Sequence, residues 1–108
     1  MHARVDEEYV EAVLEIVRQV PPGRVMTYGL LAEVVAESLG RGGPRQVGAV
    51  MARFGGGVPW WRVVTADGRV PAHARSRALA ALRAEGTPMT SDEHEDARVR
   101  VRLAVWWP

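Results

Sequence analysis

Apolar residues recur at helical spacing between Asp6 and Val20, and this pattern predicts a first amphipathic helix. The acidic residues of the segment cluster in its first turns, where the dipole of a helix favours negative charge. The sequence Pro21-Pro22-Gly23 then ends the pattern. The segment therefore predicts a helix that directs one apolar face at a core.

Two further helices are predicted next, with a short turn between them. Residues 24–26 form a brief extended connection, and Thr27 is placed to cap a second helix that runs up to a glycine-rich turn at residues 40–43. Proline occupies the first position of the third helix, Pro44 to about Phe54. This order is the helix-turn-helix pattern, in which the third helix is the recognition helix.

The third helix has two distinct faces. Its apolar positions fall at i, i+3, i+4 and i+7 and define a stripe toward the core: Val47, Val50, Met51 and Phe54. The opposite face combines small residues with arginines, as a helix needs if it is to lie close to a DNA groove: Arg45, Ala49, Ala52 and Arg53. Arg45 opposes the helix dipole, and residues that break a local preference are often functional. The alternative is a solvated arginine whose head bends away from the dipole.

Two adjacent tryptophans, Trp60 and Trp61, follow the triple glycine at residues 55–57. If this segment is extended, successive side chains point to opposite faces, so at most one of the two rings faces the core. The other ring then lines a pocket or contacts a partner. The alternative is that Trp61 packs under the C-terminal segment and Trp60 is simply half exposed.

The second half of the chain predicts short elements around one more helix. Residues 63–70 are typical of a hairpin with an Asp-Gly turn, and a helix follows from about Ala74 to Glu85. Residues 91–96 predict an acidic loop. His94 offers a metal ligand there, although a charged loop without metal is the commoner explanation. Residues 97–103 alternate apolar residues with arginine and predict a strand with one basic, exposed face.

The composition is that of an ordinary globular protein. A length of 108 residues allows one small domain, residues 1–108, and 47% of the residues are apolar. No apolar run approaches the length of a membrane span, and the N-terminal residues lack the apolar region of a signal peptide, so we expect a cytoplasmic protein. The absence of cysteine excludes a disulfide, a thiolate metal site and a thiol nucleophile.

The net charge of +1 hides an uneven distribution. Residues 1–17 carry one arginine and five acidic residues, a net charge of −4. Residues 18–83 carry ten arginines and three acidic residues, a net charge of +7. Residues 84–108 carry three arginines and five acidic residues, a net charge of −2. The basic middle section indicates a surface that binds a polyanion. All fourteen basic residues are arginine, whose planar fork suits phosphates and base edges, although a bias in genome composition or growth temperature explains this more simply.

Catalytic motifs are weak in this sequence. No Ser-His-Asp spacing, phosphate-binding glycine loop or recurring pair of metal ligands stands out, and neither a cofactor nor a metal is predicted. His73 is the one histidine of the basic middle section, and it lacks an evident orienting partner or nucleophile. Binding is therefore the stronger hypothesis. Two alternatives are a sequence-specific helix-turn-helix regulator and an enzyme, such as a glycosylase or a transferase that uses another nucleophile.

Three ordered motifs carry a family resemblance: Pro22-Gly23-Arg24-Val25-Met26-Thr27-Tyr28-Gly29, then Arg45-Gln46-Val47-Gly48, then Pro59-Trp60-Trp61-Arg62-Val63. They resemble the DNA-binding domain of the O6-alkylguanine-DNA alkyltransferases, and more closely their non-catalytic relatives, the alkyltransferase-like proteins. In the enzymes the last motif is Pro-Cys-His-Arg-Val, whose cysteine accepts the alkyl group. Trp60 stands at that cysteine position, as is typical of alkyltransferase-like proteins. The C-terminal residues 104–108 also resemble the tail of these relatives.

The resemblance implies a fold and a function. The fold is mainly α with small β elements, a winged helix-turn-helix-like DNA-binding domain as in the alkyltransferase C-terminal domain. The implied function is to bind O6-alkylguanine in double-stranded DNA by base flipping, without alkyl transfer. By the same implication the protein acts as a monomer and passes the lesion to nucleotide excision repair proteins.

The resemblance also implies roles for individual residues. DNA binding is carried over to residues on or just before the predicted helices: Thr27, Tyr28, Arg45, Gln46, Ala49, Ala52 and Arg53. Tyr28 would crowd the phosphate of the target nucleotide, and Arg45 would fill the space that the flipped base leaves. A lesion pocket, with a basic residue that senses the lesion, is carried over to a second set: Tyr28, Met51, Trp60, Val63, His73 and Arg75.

Two positions depart from the family pattern. The histidine usual after the cysteine position is Trp61, which removes the relay that activates the thiol and makes residual chemistry less expected. Because an indole only donates hydrogen bonds, the hydrogen bonding of this loop is left open. The asparagine often found after the recognition helix is Phe54, so the hinge contacts of that asparagine do not carry over.

Overall fold

Helices dominate the structure, and one small sheet lies between them. The computed structural model of the protein describes residues 6–90 and 96–108. The helices and strands are α1 (Glu7–Gln19), β1 (Met26–Thr27), α2 (Tyr28–Leu39), α3 (Pro44–Phe54), β2 (Val63–Val64), α4 (Arg75–Ala84) and α5 (Val101–Ala104). Short 3-10 turns cover Gly55–Gly57, Trp60–Arg62 and Ala72–Ala74. Within the described ranges, no helix is both long enough and apolar enough to span a membrane.

The four long predicted helices are confirmed within one residue at each end. Side-chain caps explain where two of them begin. The Asp6 carboxylate accepts a hydrogen bond from the Tyr9 amide (3.1 Å) at the start of α1. The Thr27 hydroxyl accepts one from the Leu30 amide (3.0 Å) at the start of α2. Each cap satisfies a donor that would otherwise lack a partner at a helix end.

The two-stranded sheet separates two hydrophobic cores. β1 and β2 run parallel, with Met26 opposite Val63 and Thr27 opposite Val64. Met26 and Val63 face a first core formed mainly by α1, α2 and α3. Their chain neighbours Val25 and Val64 face a second core against α4 and Ala104. Successive side chains of a strand point to opposite faces, so each strand segment contributes one residue to the first core and one to the second.

The turn between α2 and α3 is held by α1. Gly40 and Gly42 adopt φ of 70° and 91°, a conformation that side chains with a Cβ rarely tolerate. A Cβ at Gly42 would overlap the Tyr9 ring, so the turn lies directly on α1. Arg41 donates two hydrogen bonds from Nη2 to the Asp6 carboxylate (2.9 and 2.8 Å). These contacts fix the angle at which α3 leaves the turn.

The predicted hairpin at residues 63–70 is wrong. A turn does form, because the Gly68 amide donates to the Thr65 carbonyl (2.9 Å) and the Thr65 amide donates to the Arg69 carbonyl (3.0 Å). The strand before the turn, however, pairs with β1 instead of folding back on itself. Val70 turns into the second core. Burial of valines thus outweighs the local turn signal in choosing the partner strand.

The predicted strand at residues 97–103 is also wrong. Val99 forms a single antiparallel bridge with Met89, and the chain then turns into α5. The alternation holds as far as Val101, which packs against the second core, and fails at Leu103, which is 66% exposed. The helical turn lets the Ala104 carbonyl accept a hydrogen bond from the Val25 amide (3.0 Å) and ties the C-terminal segment to β1.

The acidic loop predicted at residues 91–96 lies almost wholly outside the described residues. His94 belongs to that part, so the structure does not test its ability to bind metal. Among the residues that are described, no group of three or more His, Asp or Glu side chains is arranged to hold a metal ion.

Candidate nucleic-acid interface

A cavity of about 260 Å³ opens beside α3, close to the lower end of the range of roughly 300–1,000 Å³ typical of ligand pockets. Its walls come from four parts of the chain: the start of α2, the inner side of α3 with the glycines that follow it, the tryptophan turn, and the start of α4. The lining residues are Tyr28, Gly48, Met51, Ala52, Gly55, Gly56, Trp60, Pro71, His73, Ala74 and Arg77. None of them is acidic.

Trp60 forms one wall of this cavity. It starts the 3-10 turn Trp60–Arg62, so the segment is not extended and the opposite-faces argument does not apply to the two rings. Both rings are half-buried and meet edge to face, with centroids 5.6 Å apart and planes at 86°. Trp60 packs against both hydrophobic cores and still lines the cavity. The turn is possible because residues that bend the chain, Gly57 and Pro59, flank Val58 just ahead of it.

Trp61 takes part in a partly buried ion pair. Its indole Nε1 donates to Glu85 Oε2 (3.1 Å), and Arg62 donates to both oxygens of the same carboxylate. Arg62 also donates from Nη1 to the Val20 carbonyl (2.8 Å) at the end of α1. The side chains of Arg62 and Glu85 are only 12% and 14% exposed. We call Trp61, Arg62 and Glu85 the carboxylate clamp; it fixes the tryptophan turn against α1 and α4.

The clamp keeps Glu85 ionised. Burial alone raises the pKa of the Glu85 carboxyl, but hydrogen bonds from Arg62 and Trp61 and the charge of Arg62 outweigh that effect. The pKa of Glu85 therefore lies below its usual value. On the cavity wall, burial raises the pKa of the Tyr28 hydroxyl, so Tyr28 stays a neutral phenol that can donate a hydrogen bond.

Four of the residues predicted for the lesion pocket line the cavity together: Tyr28, Met51, Trp60 and His73. Two others do not. Val63 is fully buried in the first core beneath the cavity, so it cannot touch a ligand. Arg75 starts α4 but lies outside the lining of this cavity. The structure corrects both assignments.

Sequence reasoning missed Arg77 and Gly48 as lining residues. Arg77 lies over the Trp60 ring, with its guanidinium carbon 5.5 Å from the ring centroid. No pattern in the sequence marked Arg77, which lies in the first turn of α4, just after the 3-10 turn that contains His73. Gly48 stands in the second family motif without an assigned role, and a Cβ placed there meets no atom within 4 Å.

The residues predicted on the outer face of α3 are exposed: Arg45, Gln46, Ala49, Ala52 and Arg53. Arg45 forms no hydrogen bond or ion pair with the described part of the chain, so its head is available to a ligand. Ala52 belongs to this face and also lines the cavity, so the helix face and the cavity are continuous. Gln46, Ala49 and Arg53 border a second groove of about 360 Å³ between α1 and α3.

Two of these side chains already have local roles. Gln46 Oε1 accepts a hydrogen bond from the Gly43 amide (2.9 Å), which satisfies a donor at the start of α3. Arg53 lies over the Phe54 ring, 5.0 Å from its centroid. Thr27 caps α2 with its hydroxyl. Of the two arginines on this face, only Arg45 makes no hydrogen bond, ion pair or ring contact with the described residues.

Comparison with known proteins identifies the family. A family model described as 6-O-methylguanine DNA methyltransferase, DNA binding domain, matches residues 8–87. The chain belongs to this family. Within the family it is an alkyltransferase-like protein.

One curated relative and two solved structures match over nearly the whole chain. A DNA base-flipping protein of Vibrio parahaemolyticus is 26% identical over 106 residues, which cover 94% of this chain and 99% of the relative. S. pombe Atl1 in complex with damaged DNA containing O6-carboxymethylguanine superposes with a TM-score of 0.77 at 26% identity. S. pombe ATL in complex with DNA gives 0.74 at 28% identity. Each of the two structural matches spans 98% of this chain and 100% of the S. pombe chain. The predicted fold class is confirmed.

The carboxylate clamp predicts a pH dependence of stability. Because the folded-state pKa of Glu85 is lowered, its contribution is complete above the unfolded pKa of about 4.3 and is lost as the pH falls through the lower folded value. Glu85→Gln leaves the Arg62 guanidinium without its carboxylate, so we expect the free energy of unfolding at neutral pH to fall by about 1–3 kcal/mol. Urea denaturation measures this loss.

The same variant should show a shallower loss of stability below about pH 5 than the unmodified protein. Part of the slope will remain, because hydrogen bonds also lower the pKa of Asp6 and of Asp67. Glu11→Gln, on the exposed side of α1, is the control and should leave the profile nearly unchanged. Identical slopes for Glu85→Gln and the unmodified protein would contradict the role of the clamp.

Proposed function

We propose that this protein binds O6-alkylguanine in double-stranded DNA by flipping the damaged base into the Trp60 cavity, and that it leaves the base chemically unchanged. One observation carries the proposal. An aromatic cavity lies directly behind the exposed face of α3, and a tryptophan stands where the enzymes of the family have their cysteine. The S. pombe relative, solved with O6-carboxymethylguanine DNA, supports the choice of lesion.

The cavity offers an extruded base both stacking and apolar contact. Extrusion costs a few kcal/mol and costs less when pairing is damaged, as it is when alkylation of O6 removes the N1 proton of guanine. Stacking on an aromatic side chain such as Trp60 returns about 1–3 kcal/mol. Burial of the alkyl carbon near Met51 adds only about 0.8 kcal/mol per CH₂. Easier flipping therefore supplies much of the discrimination between damaged and normal guanine.

Residues outside the cavity would drive the extrusion. Arg45 projects from the first turn of α3 with no partner in the described chain, so it is free to enter the base stack and replace the flipped base. Tyr28 lines the cavity mouth at the start of α2, where its ring would crowd the phosphate of the target nucleotide. The exposed face of α3, with Ala49 and Ala52 between its arginines, lets the helix approach the duplex closely.

Alkyl transfer has no obvious acceptor at this site. The chain contains no cysteine, and the indole of Trp60 is a weak nucleophile held between two cores. The position of the family's histidine is Trp61, whose indole donates to Glu85 and cannot act as a base. We therefore propose that the bound lesion persists and is passed to nucleotide excision repair.

Two substitutions test the flipping mechanism. We expect Arg45→Ala and Tyr28→Ala each to weaken binding to an O6-methylguanine duplex more than tenfold, because each removes a contact made only when the base is extruded. Fluorescence anisotropy of a labelled duplex measures the affinity. Arg102→Ala, which removes an exposed arginine from α5, is the matched control and should have little effect. Unchanged affinity in both test variants would contradict the base-flipping mechanism. Affinity that depends on the DNA sequence and not on the lesion would favour a helix-turn-helix regulator.

Gly48→Ala separates stability from binding. Alanine is the better helix former, and the added methyl group meets no atom within 4 Å, so we expect the free energy of unfolding to rise by about 0.5–1 kcal/mol. The same methyl group narrows the cavity, so affinity for the O6-methylguanine duplex should fall relative to the unmodified duplex. Urea denaturation and anisotropy give the two values. A more stable variant with an unchanged preference for the lesion would place the base elsewhere.

Mass spectrometry tests for alkyl transfer. After prolonged incubation with an O6-methylguanine duplex, we expect the protein to keep its unmodified mass and the DNA to release its full content of O6-methylguanine on digestion. A mass increase of one methyl group would reveal a different nucleophile. An abasic site or restored guanine in the DNA would reveal another enzymatic activity.

A further inference from the structure

The charge on the cavity wall is entirely of one sign. Among the lining residues only Arg77 carries a permanent charge, and no lining residue is acidic. Most of the remaining wall is glycine, alanine, methionine, proline or aromatic ring. A cavity of this composition disfavours cations and offers an anion one guanidinium in a partly apolar setting.

Arg77 is held in place by Trp60. Its guanidinium carbon lies 5.5 Å from the centroid of the Trp60 ring, within the range of a cation–π contact. Such a contact uses the face of the guanidinium and leaves its N–H groups, which lie in the plane, for hydrogen bonds. Within the described ranges Arg77 forms no ion pair with a carboxylate. Arg62, by contrast, forms an ion pair with Glu85.

The other arginines of the site are placed differently. Arg53 lies over Phe54 beside the second groove, and Arg75 does not line the cavity. A purine stacked on Trp60 would therefore find Arg77 as the one guanidinium on the same wall. Planar, bidentate pairing with a carboxylate is the contact that a guanidinium makes best.

Resting on the function proposed above, we propose that Arg77 makes the cavity prefer O6-alkylguanines whose alkyl group carries a carboxylate, such as a carboxymethyl group, over neutral adducts of the same size. The guanidinium and the carboxylate would form a charge-assisted hydrogen bond at the wall that Trp60 and Arg77 share. His73 lines the same cavity from the 3-10 turn just before α4.

A contact between Arg77 and a DNA phosphate is the competing explanation. Contacts to phosphate strengthen binding to every duplex and carry no information about the base. The affinity ratio between two adducts in the same duplex therefore isolates the proposed role. The neutral carbamoylmethyl group is the best comparison, because it has nearly the shape of the carboxymethyl group without its charge.

The experiment compares four duplexes of one sequence, which carry guanine, O6-methylguanine, O6-carbamoylmethylguanine or O6-carboxymethylguanine. We expect the unmodified protein to bind the carboxymethyl duplex about tenfold more tightly than the carbamoylmethyl duplex, as expected for one hydrogen bond to a charged group. Arg77→Gln should bring this ratio close to one, and Arg77→Lys should keep part of it. Anisotropy titrations at constant ionic strength give all the values.

Arg75→Gln is the matched control, because it removes the same charge from the same helix outside the cavity lining. It should shift all four affinities together and leave the ratio unchanged. A ratio near one in the unmodified protein overturns the proposal, as does an equal loss of affinity for all duplexes in Arg77→Gln. The proposed function fails separately, if the three adducts bind no better than guanine.

Discussion

The partly buried ion pair between Arg62 and Glu85 joins the parts of the chain that define the site. Arg62 reaches the last carbonyl of α1 through Val20, and Glu85 follows the last turn of α4. The tryptophan turn lies between these helix ends and cannot move without breaking the pair. Loss of either partner would leave the other charge buried without a counter-charge, and this costs more free energy than the intact pair contributes to stability. The ion pair therefore anchors the turn that carries Trp60 to the ends of α1 and α4.

Trp61 stands where the family pattern has a histidine, and its contacts are with the Arg62–Glu85 ion pair. In the enzymes that this family resembles, a histidine at this position helps to activate the thiol. The indole nitrogen here donates to the Glu85 carboxylate and stacks near Arg62, whose guanidinium carbon is 5.4 Å from the ring centroid. The indole of Trp61 makes a hydrogen bond here, but unlike an imidazole it cannot accept a proton. Trp61 therefore helps to hold the tryptophan turn to the end of α4.

Local signals in the sequence account for the helices, and pairing between distant residues accounts for most of what the sequence could not predict. Periodicity and caps at Asp6 and Thr27 depend on neighbours in the chain. The partner of Val63–Val64 is set by two cores that form only after collapse, so the hairpin prediction failed. The family motif placed Tyr28 and Trp60 at the cavity correctly. Arg77 lies outside the three motifs, and its position follows from how α4 packs on the tryptophan turn.

Trp60 contributes to both hydrophobic cores while part of its surface lines the cavity. Truncation of a buried aromatic side chain costs about 3–5 kcal/mol, and even part of that cost is serious for a small domain whose total stability is about 5–15 kcal/mol. A single codon change that restored cysteine at position 60 would therefore leave a void between the cores as well as a thiol without its histidine. Any smaller residue at position 60 would therefore require the interior to be refilled by other substitutions at the same time.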